Sequence, residues 1–383
     1  MTLLTNRFSA KNKLFLTIFS VLFFSINTRV LAQHDHNHDT ETATEQVDSA
    51  QTTHTDAATT GEHGKEEKFN TTELIMEHVS DAHDWHLWGH TSIHLPVILL
   101  TDQGLEIFSS GKFDHGHAVY QGSYYNYKNI HEKIKVVDAA GNIDEAATKN
   151  IYDFSITKNV ASLLLAVLFL LLIFISIGNS YKKNGIGAPK GLGAWLEPII
   201  IFVRDDIARP NLGENYHRFM PYLLTVFFFI WMNNIMGLVP FFPGGANVTG
   251  NIAVTLVLAL ITFVITNVNG TKTYWGHVFT PHVPKWLWPL MVPVEMIGLF
   301  TKPFALMIRL FANITAGHIL ILSLVCLIFI FKSLAVAGVS VPFIVFISVI
   351  ELVVAFIQAF IFTILSALYI GMAMEKPHHD DHH

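Results

Sequence analysis

The chain has 383 residues, 51% hydrophobic and only 14% charged, with a formal net charge of −6 and a mean hydropathy of +0.42. These figures describe a polytopic membrane protein with a soluble portion and exclude a basic nucleic-acid binder. The charge is unevenly spread: residues 33–158 hold 21 acids against 8 Lys and no Arg, and the remainder is far more apolar. The one cysteine, Cys326, lies in an apolar segment, so it supports neither a disulfide nor a metal cluster and reads as a small packing residue.

Residues 1–32 read as a secretory signal peptide, with Arg7, Lys11 and Lys13 before a short apolar run from Leu14 to Ile26 and a cleavage site at Val30-Leu-Ala32. The alternative is an uncleaved anchor helix. In either case the segment that follows is expected to be exported. Residues 33–70 are low-complexity Thr, Ala, Asp, Glu and His, are unable to bury a core, and are expected to be disordered. Their opening His34-Asp-His-Asn-His38 offers divalent-metal ligands, but nothing fixes a geometry, so a solvated tail is preferred to a metal site.

Residues 71–158 recover structure as a small α+β or β-rich exported region. Leu95-Pro-Val-Ile-Leu-Leu100 and Ile134-Lys-Val-Val137 predict short strands, with turns at Asp102-Gln-Gly104 and Ala140-Gly-Asn142. His115-Gly-His117 is read as hydrogen-bonding rather than ligating. A membrane domain is predicted over residues 159–376, followed by a polar tail at 377–383. Its first span is Val160 to Ile177, without a charge. Lys182, Lys183, Lys190, Arg204, Arg209 and Arg218 then mark a cytoplasmic loop, in agreement with an exported N-terminal region.

The second span runs from about Phe219 to Val239 and the third from about Asn251 to Val268, with an uncharged outer loop from Pro240 to Gly250. Lys272 and Lys285 return to the cytoplasm, and Trp275, Trp286 and Trp288 suit an interfacial belt. The last two apolar segments, Pro303–Phe331 and Pro342–Met374, contain 29 and 33 residues. Continuous helices of that size are roughly 44 and 50 Å long against a hydrocarbon core of about 30 Å, so they must tilt by roughly 45–55°. The expected fold is therefore mainly α, with about five membrane helices, the last two long and strongly tilted, plus the small exported domain.

Polar groups recur within those two helices. Arg309 is the most informative, because a guanidinium keeps its charge under essentially all conditions, and at mid-membrane it costs at least about 2.5–3.5 kcal/mol. Apolar sequence on both sides makes snorkelling to the headgroups difficult. Asn313 is four residues on and shares its face. His318 is nine residues on, about 900° of rotation and ~13 Å along the axis, hence on the opposite face. Glu351 and Gln358, seven apart, form one stripe on the last helix. Antiparallel pairing brings Glu351 to the level of His318 and Gln358 nearer Arg309. Imidazole and carboxylate exchange protons near neutral pH in a suitable environment, whereas Arg does not, which is the layout of a proton path with a fixed positive barrier. The plain alternative is a buried structural ion pair.

Arg309-Leu-Phe-Ala-Asn313, with Ala316-Gly317, Glu351 and Gln358, resembles the a subunit of the F-type ATP synthase membrane sector. Asn234-Ile-Met-Gly-Leu-Val-Pro240, Thr249-Gly-Asn251, Glu295 and Lys302-Pro303 extend the likeness, which covers about residues 150–374. The resemblance implies that Arg309 faces the carboxylate of a rotating c-ring and separates two half-channels, supported by Asn313 and Gln358. It implies His318 and Glu351 as the lining on the exported side, with the acid and imidazole exchanged relative to some members. It places Thr249 and Asn251 near the outer mouth and Glu295 toward the cytoplasmic outlet. Gly237 stands where some members have an acid and is given no proton role. Implied partners are the c-ring, b-type peripheral stalk subunits, the rest of the complex and the bilayer, in a bacterial inner membrane. Neither a cofactor nor a catalytic residue is expected, since no Gly-x-x-x-x-Gly-Lys-[Ser/Thr] loop occurs. The rivals are a secondary ion transporter with its own substrate site, against which the lack of a repeat speaks, and a metal-binding membrane protein built on the His-rich tail.

Overall fold

The computed structural model describes residues 80–88, 91–116, 118–130, 132–184, 191–239, 242–281 and 283–375. The expected signal peptide, the 33–70 tail with His34–His38, His117, Lys190 and the 377–383 tail lie outside the described residues.

The N-terminal part is built from short antiparallel strands, numbered β1 (Asp84–Trp88), β2 (Thr91–His94), β3 (Pro96–Leu100), β4 (Leu105–Ser109), β5 (Tyr120–Gln121), β6 (Asn126–Ile130), β7 (Lys133–Val137) and β8 (Tyr152–Asp153). They form a β1-β2 pair and two sheets ordered β4-β3-β8 and β5-β6-β7. Strand periodicity of two explains the core: Val97 and Leu99 of β3 and Phe108 of β4 point inward and meet Phe113, Tyr127, Ile134 and Val136. The predicted turns occur where expected. Thr101 Oγ1 accepts from the Gly104 amide at 3.1 Å, and Asp138 Oδ1 accepts from the Asn142 amide at 2.9 Å. Between the latter two, Gly141 adopts φ 86°, a left-handed conformation that suits a residue without a Cβ. A short α-helix, α1 (Glu145–Lys149), is capped by Asp144, whose Oδ1 accepts from Ala147 N.

The remainder is helical: α2 (Lys158–Asn184), α3 (Leu192–Phe202), a π-helical turn (Val203–Ala208), α4 (Arg209–Leu212), α5 (Tyr216–Leu238), α6 (Ile252–Val268), α7 (Lys272–Phe279), α8 (Trp288–Phe331) and α9 (Leu334–Met374). The spans expected from apolar runs are present as α2, α5, α6, α8 and α9. Two boundaries differ from the sequence reading. The cation-rich stretch after α2 is largely helix rather than loop, because Leu192-Gly-Ala-Trp-Leu-Glu-Pro-Ile-Ile-Ile-Phe202 is apolar enough to pack on the bundle. Asp205 there bonds Arg204 and Arg209 at 2.8 Å each, so two of the cations share one carboxylate. The second difference is that α8 and α9 are longer than their apolar cores, at 44 and 41 residues, and the turn between them is only Lys332 and Ser333. Pro303 and Pro342 were read as helix starts but lie inside helices, where neighbouring groups in a membrane protein compensate the lost hydrogen bond.

The membrane core gathers Leu223, Phe227 and Ile230 of α5, Leu258 of α6, Leu306 and Leu310 of α8, and Phe362 and Ile370 of α9. α7 turns by 104° from α6 instead of continuing the span, and Thr271, its N-cap, donates its backbone N–H to Ala373 O near the end of α9.

The N-terminal domain is joined to α2 by polar contacts. Asp81 accepts from Asn159 N at 3.0 Å and from Thr157 Oγ1 at 2.7 Å, which satisfies a free amide of the first turn of α2. Beside it, buried His83 stands 3.5 Å from Glu132 and 3.7 Å from Asp153. Burial opposes the imidazolium, but contacts with Asp153 and Glu132 outweigh it and push His83 from 6.5 up to about 9. A raised folded-state value means that this contribution to stability is complete below the ordinary value and is lost as pH rises through the folded one. Limited proteolysis of the intact protein should therefore show the N-terminal domain losing resistance between about pH 6.5 and 9. His83→Gln should flatten that dependence, and an unchanged profile would refute the coupling.

Candidate functional site

α8 carries Arg309, Asn313 and His318, and α9 carries Glu351 and Gln358. Arg309 and Asn313 are exposed on a face that also presents Ala305, Ala312 and Ala316. Among the described residues, Arg309 has no ion pair or hydrogen bond, as the permanent charge of a guanidinium in an apolar helix would otherwise require. The inward side of the same stretch is Leu306, Met307, Leu310 and Ile314, all buried. One helix thus packs with one stripe and offers a cation and small side chains with the other. Only 11% of the most apolar window of α8 and 17% of that of α9 is buried, as is 11% for α2, against 56% for the stretch containing α5, so α2, α8 and α9 carry the open surface of the bundle.

Glycine sets the register between α8 and α9. Gly317 lies directly against the Glu351 carboxylate, and a Cβ there would overlap Glu351 Oε1. From that contact, seven residues along each antiparallel helix bring Gln358 to the level of Leu310 and Arg309. Gln358 is 4% exposed. His318 adjoins Gly317 in sequence and is half-buried. A Cβ added at Gly237 of α5 would come within 3.8 Å of His318 Nε2. His318 and Glu351 share a level, as the antiparallel reading expects, but no hydrogen bond or ion pair joins them. His318 Nε2, Glu351 Oε2 and the neighbouring Thr315 Oγ1 are buried atoms without a hydrogen-bond partner among the described residues. Such atoms are usually satisfied by water.

Thr249 is 1% exposed and its hydroxyl donates to Asn234 Oδ1 at 2.7 Å. Asn234 Nδ2 donates in turn to Ala355 O of α9 at 3.2 Å. This relay ties the α5–α6 connection, α5 and α9 together one turn beyond Glu351. Asn251 is the N-cap of α6, its Oδ1 accepting from Ala253 N at 2.9 Å. Glu295 is half-buried early on α8, with His277 Nδ1 of α7 at 3.9 Å. The structure thus groups Arg309 with Asn313, and His318 with Glu351. It sets Thr249 near the second group through Asn234 and Ala355, gives Asn251 a helix-capping contact, and leaves Glu295 apart. Sequence reasoning quoted Asn234 and Gly317 only as motif members. A buried amide between apolar residues and a glycine beside His318 were the available signals.

Residues 160–371 match the family profile described as ATP synthase A chain. This chain belongs to that family. Among relatives, subunit a of the ATP synthase of Chloroherpeton thalassium is 50% identical over 235 residues, covering 60% of this chain and 70% of that one. The Chlorobium phaeobacteroides strain BS1 protein is 52% identical over 236 residues, 60% of this chain and 69% of the relative. The Myxococcus xanthus protein is 50% identical over 238 residues, 60% and 77% respectively. Residues 74–154 match a separate profile described as a domain of unknown function (DUF8433). The family match spans all the polar groups of α8 and α9, so the chain is a stator-type a subunit and a multi-pass membrane protein.

The Thr249–Asn234–Ala355 relay yields a stability expectation for this family member. Asn234→Ala removes both bonds and leaves the buried Thr249 hydroxyl unpaired, at a cost of about 0.5–2 kcal/mol. Thermal unfolding of the purified protein in detergent should show a lower midpoint for Asn234→Ala than for the parent. An equal midpoint would mean that the relay contributes nothing.

Proposed function

We propose that this chain forms two proton half-channels against a c-ring and couples proton movement to ATP synthesis on other subunits of the complex, without a catalytic residue of its own. The observation that carries the reading is Arg309: a permanent cation, unpaired within the described residues, on an exposed, alanine-rich helix face. An apolar helix leaves a guanidinium so placed only when another component supplies its partner. Small residues on the same face admit a close-packed neighbouring helix. A c-ring helix bearing a carboxylate meets both requirements. Arg309 then attracts the deprotonated carboxylate and blocks direct passage of protons between the half-channels, since it does not release its own proton.

His318 and Glu351 line the half-channel from the exported side, with Thr249 and Asn251 toward its outer mouth. Asn313, one turn from Arg309, and Gln358, level with it, support the arginine. Glu295 serves the cytoplasmic outlet. The ion is H⁺, which an imidazole in the path favours. The b-type peripheral stalk would hold the chain against the rotating ring. The cations from Lys182 to Arg218 favour a cytoplasmic position for that end of α2 and α5. The N-terminal domain is then periplasmic, after removal of residues 1–32, and the C-terminus is cytoplasmic.

Arg309→Ala should abolish ATP-driven proton pumping in vesicles and permit a passive leak, with assembly intact by immunoblot. Normal coupled pumping in that variant would sink the barrier role. His318 and Glu351 acting as one relay should give non-additive losses. Each alanine variant should slow flux strongly, and the double variant should be little worse than the poorer single one. The exchanged pair, His318→Glu with Glu351→His, should recover more flux than His318→Glu alone. Independent, multiplicative losses without recovery would show that the two act separately.

A further inference from the structure

The N-terminal domain is not merely appended to the bundle. Trp85 donates its indole N–H to Gly244 O at 3.1 Å in a buried contact, and its ring meets Phe242 edge-on at 5.1 Å. Gly244 and Phe242 belong to the outer connection between α5 and α6. The same connection brings Ala246 O against Gly237, which in turn faces His318. The domain therefore covers the connection that walls the region around His318.

The first turns of α2 reach the same place. Phe174 of α2 packs on Phe228 of the antiparallel α5 at 5.0 Å. Twelve residues outward along each helix, Ser162 reaches the level of the outer end of α5. Lys158, Asn159 and Ser162 share one side of α2 by their spacing. Asn159 is 5% and Ser162 0% exposed, yet Asn159 Oδ1 and Ser162 Oγ have no hydrogen-bond partner among the described residues. Asn247 Nδ2, in the outer connection, is a further buried atom of this kind. Lys158 lies close enough to His318 to act on it electrostatically, and close enough to Asp81 and Glu132 in the domain to do the same. Unsatisfied buried polar atoms thus occur at the start of α2, in the α5–α6 connection, and at Thr315, His318 and Glu351. Such atoms are what water molecules would solvate.

We propose that the outer proton inlet runs through the seam between the N-terminal domain and the first turns of α2, with Lys158, Asn159 and Ser162 on its wall and the domain forming its mouth. The proposal rests on the reading of His318 and Glu351 as the outer half-channel. It gives the N-terminal domain a function: protons enter beneath it, past the Asp81, His83, Glu132 and Asp153 side chains, rather than directly from the bilayer surface.

The test uses the intact complex with Cys326→Ser as the parent. Ser162→Cys and His318→Cys are introduced singly, Ag⁺ is applied to the exported face of sealed membranes, free thiol is titrated, and the membranes are everted for ATP-driven pumping. Silver binds the thiolate as the thiol proton is released, so it reports access by water and small cations. Both cysteines should lose free thiol, and Ser162→Cys should lose most of its pumping on silver treatment while the parent does not. If His318→Cys reacts and Ser162→Cys stays free, the inlet lies elsewhere and the half-channel reading stands. If Ser162→Cys reacts without losing pumping, the seam is wet but carries no flux, and the proposal falls. If neither reacts, the half-channel reading falls and takes this proposal with it. A second variant, Ser162→Trp, should block flux in an assembled complex, whereas Leu172→Trp, on the exposed side of the same helix, should not.

Discussion

The arrangement of the membrane domain turns on one uncompensated charge. Arg309 would cost several kcal/mol in lipid, and among the described residues the bundle gives it no carboxylate. Its helix instead presents the guanidinium on a face of alanines and the Asn313 amide while burying Leu306, Leu310 and Ile314 behind it. An a subunit that packed Arg309 inward would bury the charge among apolar side chains and lose the open face on which the proposed barrier depends.

Holding that face steady falls to the other polar contacts. Gly317 lets α9 approach closely enough to seat Glu351 against α8, and Asn234 clamps α9 to α5 and the outer connection. The apolar core of α5, α6, α8 and α9 runs behind these contacts and includes Ala246 and Val248 of the α5–α6 connection. The N-terminal domain packs on the same end of the bundle through Trp85 and through Asp81, which accepts from the first turn of α2. Among the described residues, buried polar atoms without partners at Asn159, Ser162, Asn247, His318 and Glu351 fall at that same end.

Much of this was legible in the amino-acid order. Apolar runs located the spans, because a membrane helix must bury its backbone groups along an unbroken length. The 309–313 motif, the His318 phase and the Glu351–Gln358 stripe follow from helical periodicity alone. Strands of the N-terminal domain followed from the apolar run at Leu95–Leu100 and the alternation at Ile134–Val137. Local patterns were less informative at Pro303 and Pro342, which read as boundaries although tertiary neighbours let the helices continue. They also missed the helical character of residues 192–202, where a Gly and a Pro interrupt the pattern.

The sequence by itself determined which residues carry charge at membrane depth, which of them share a helix face, and to which family the pattern is similar. Those properties are local, set by residue chemistry and a rise of about 1.5 Å per residue. Only the tertiary structure decided that Glu351 rests on Gly317 without pairing to His318, that Asn234 bridges Thr249 to α9, and that Trp85 joins the N-terminal domain to the outer connection. Each of these contacts unites residues far apart in the chain. Their positions depend on how closely whole helices and a separate domain pack, which no periodicity within one segment encodes.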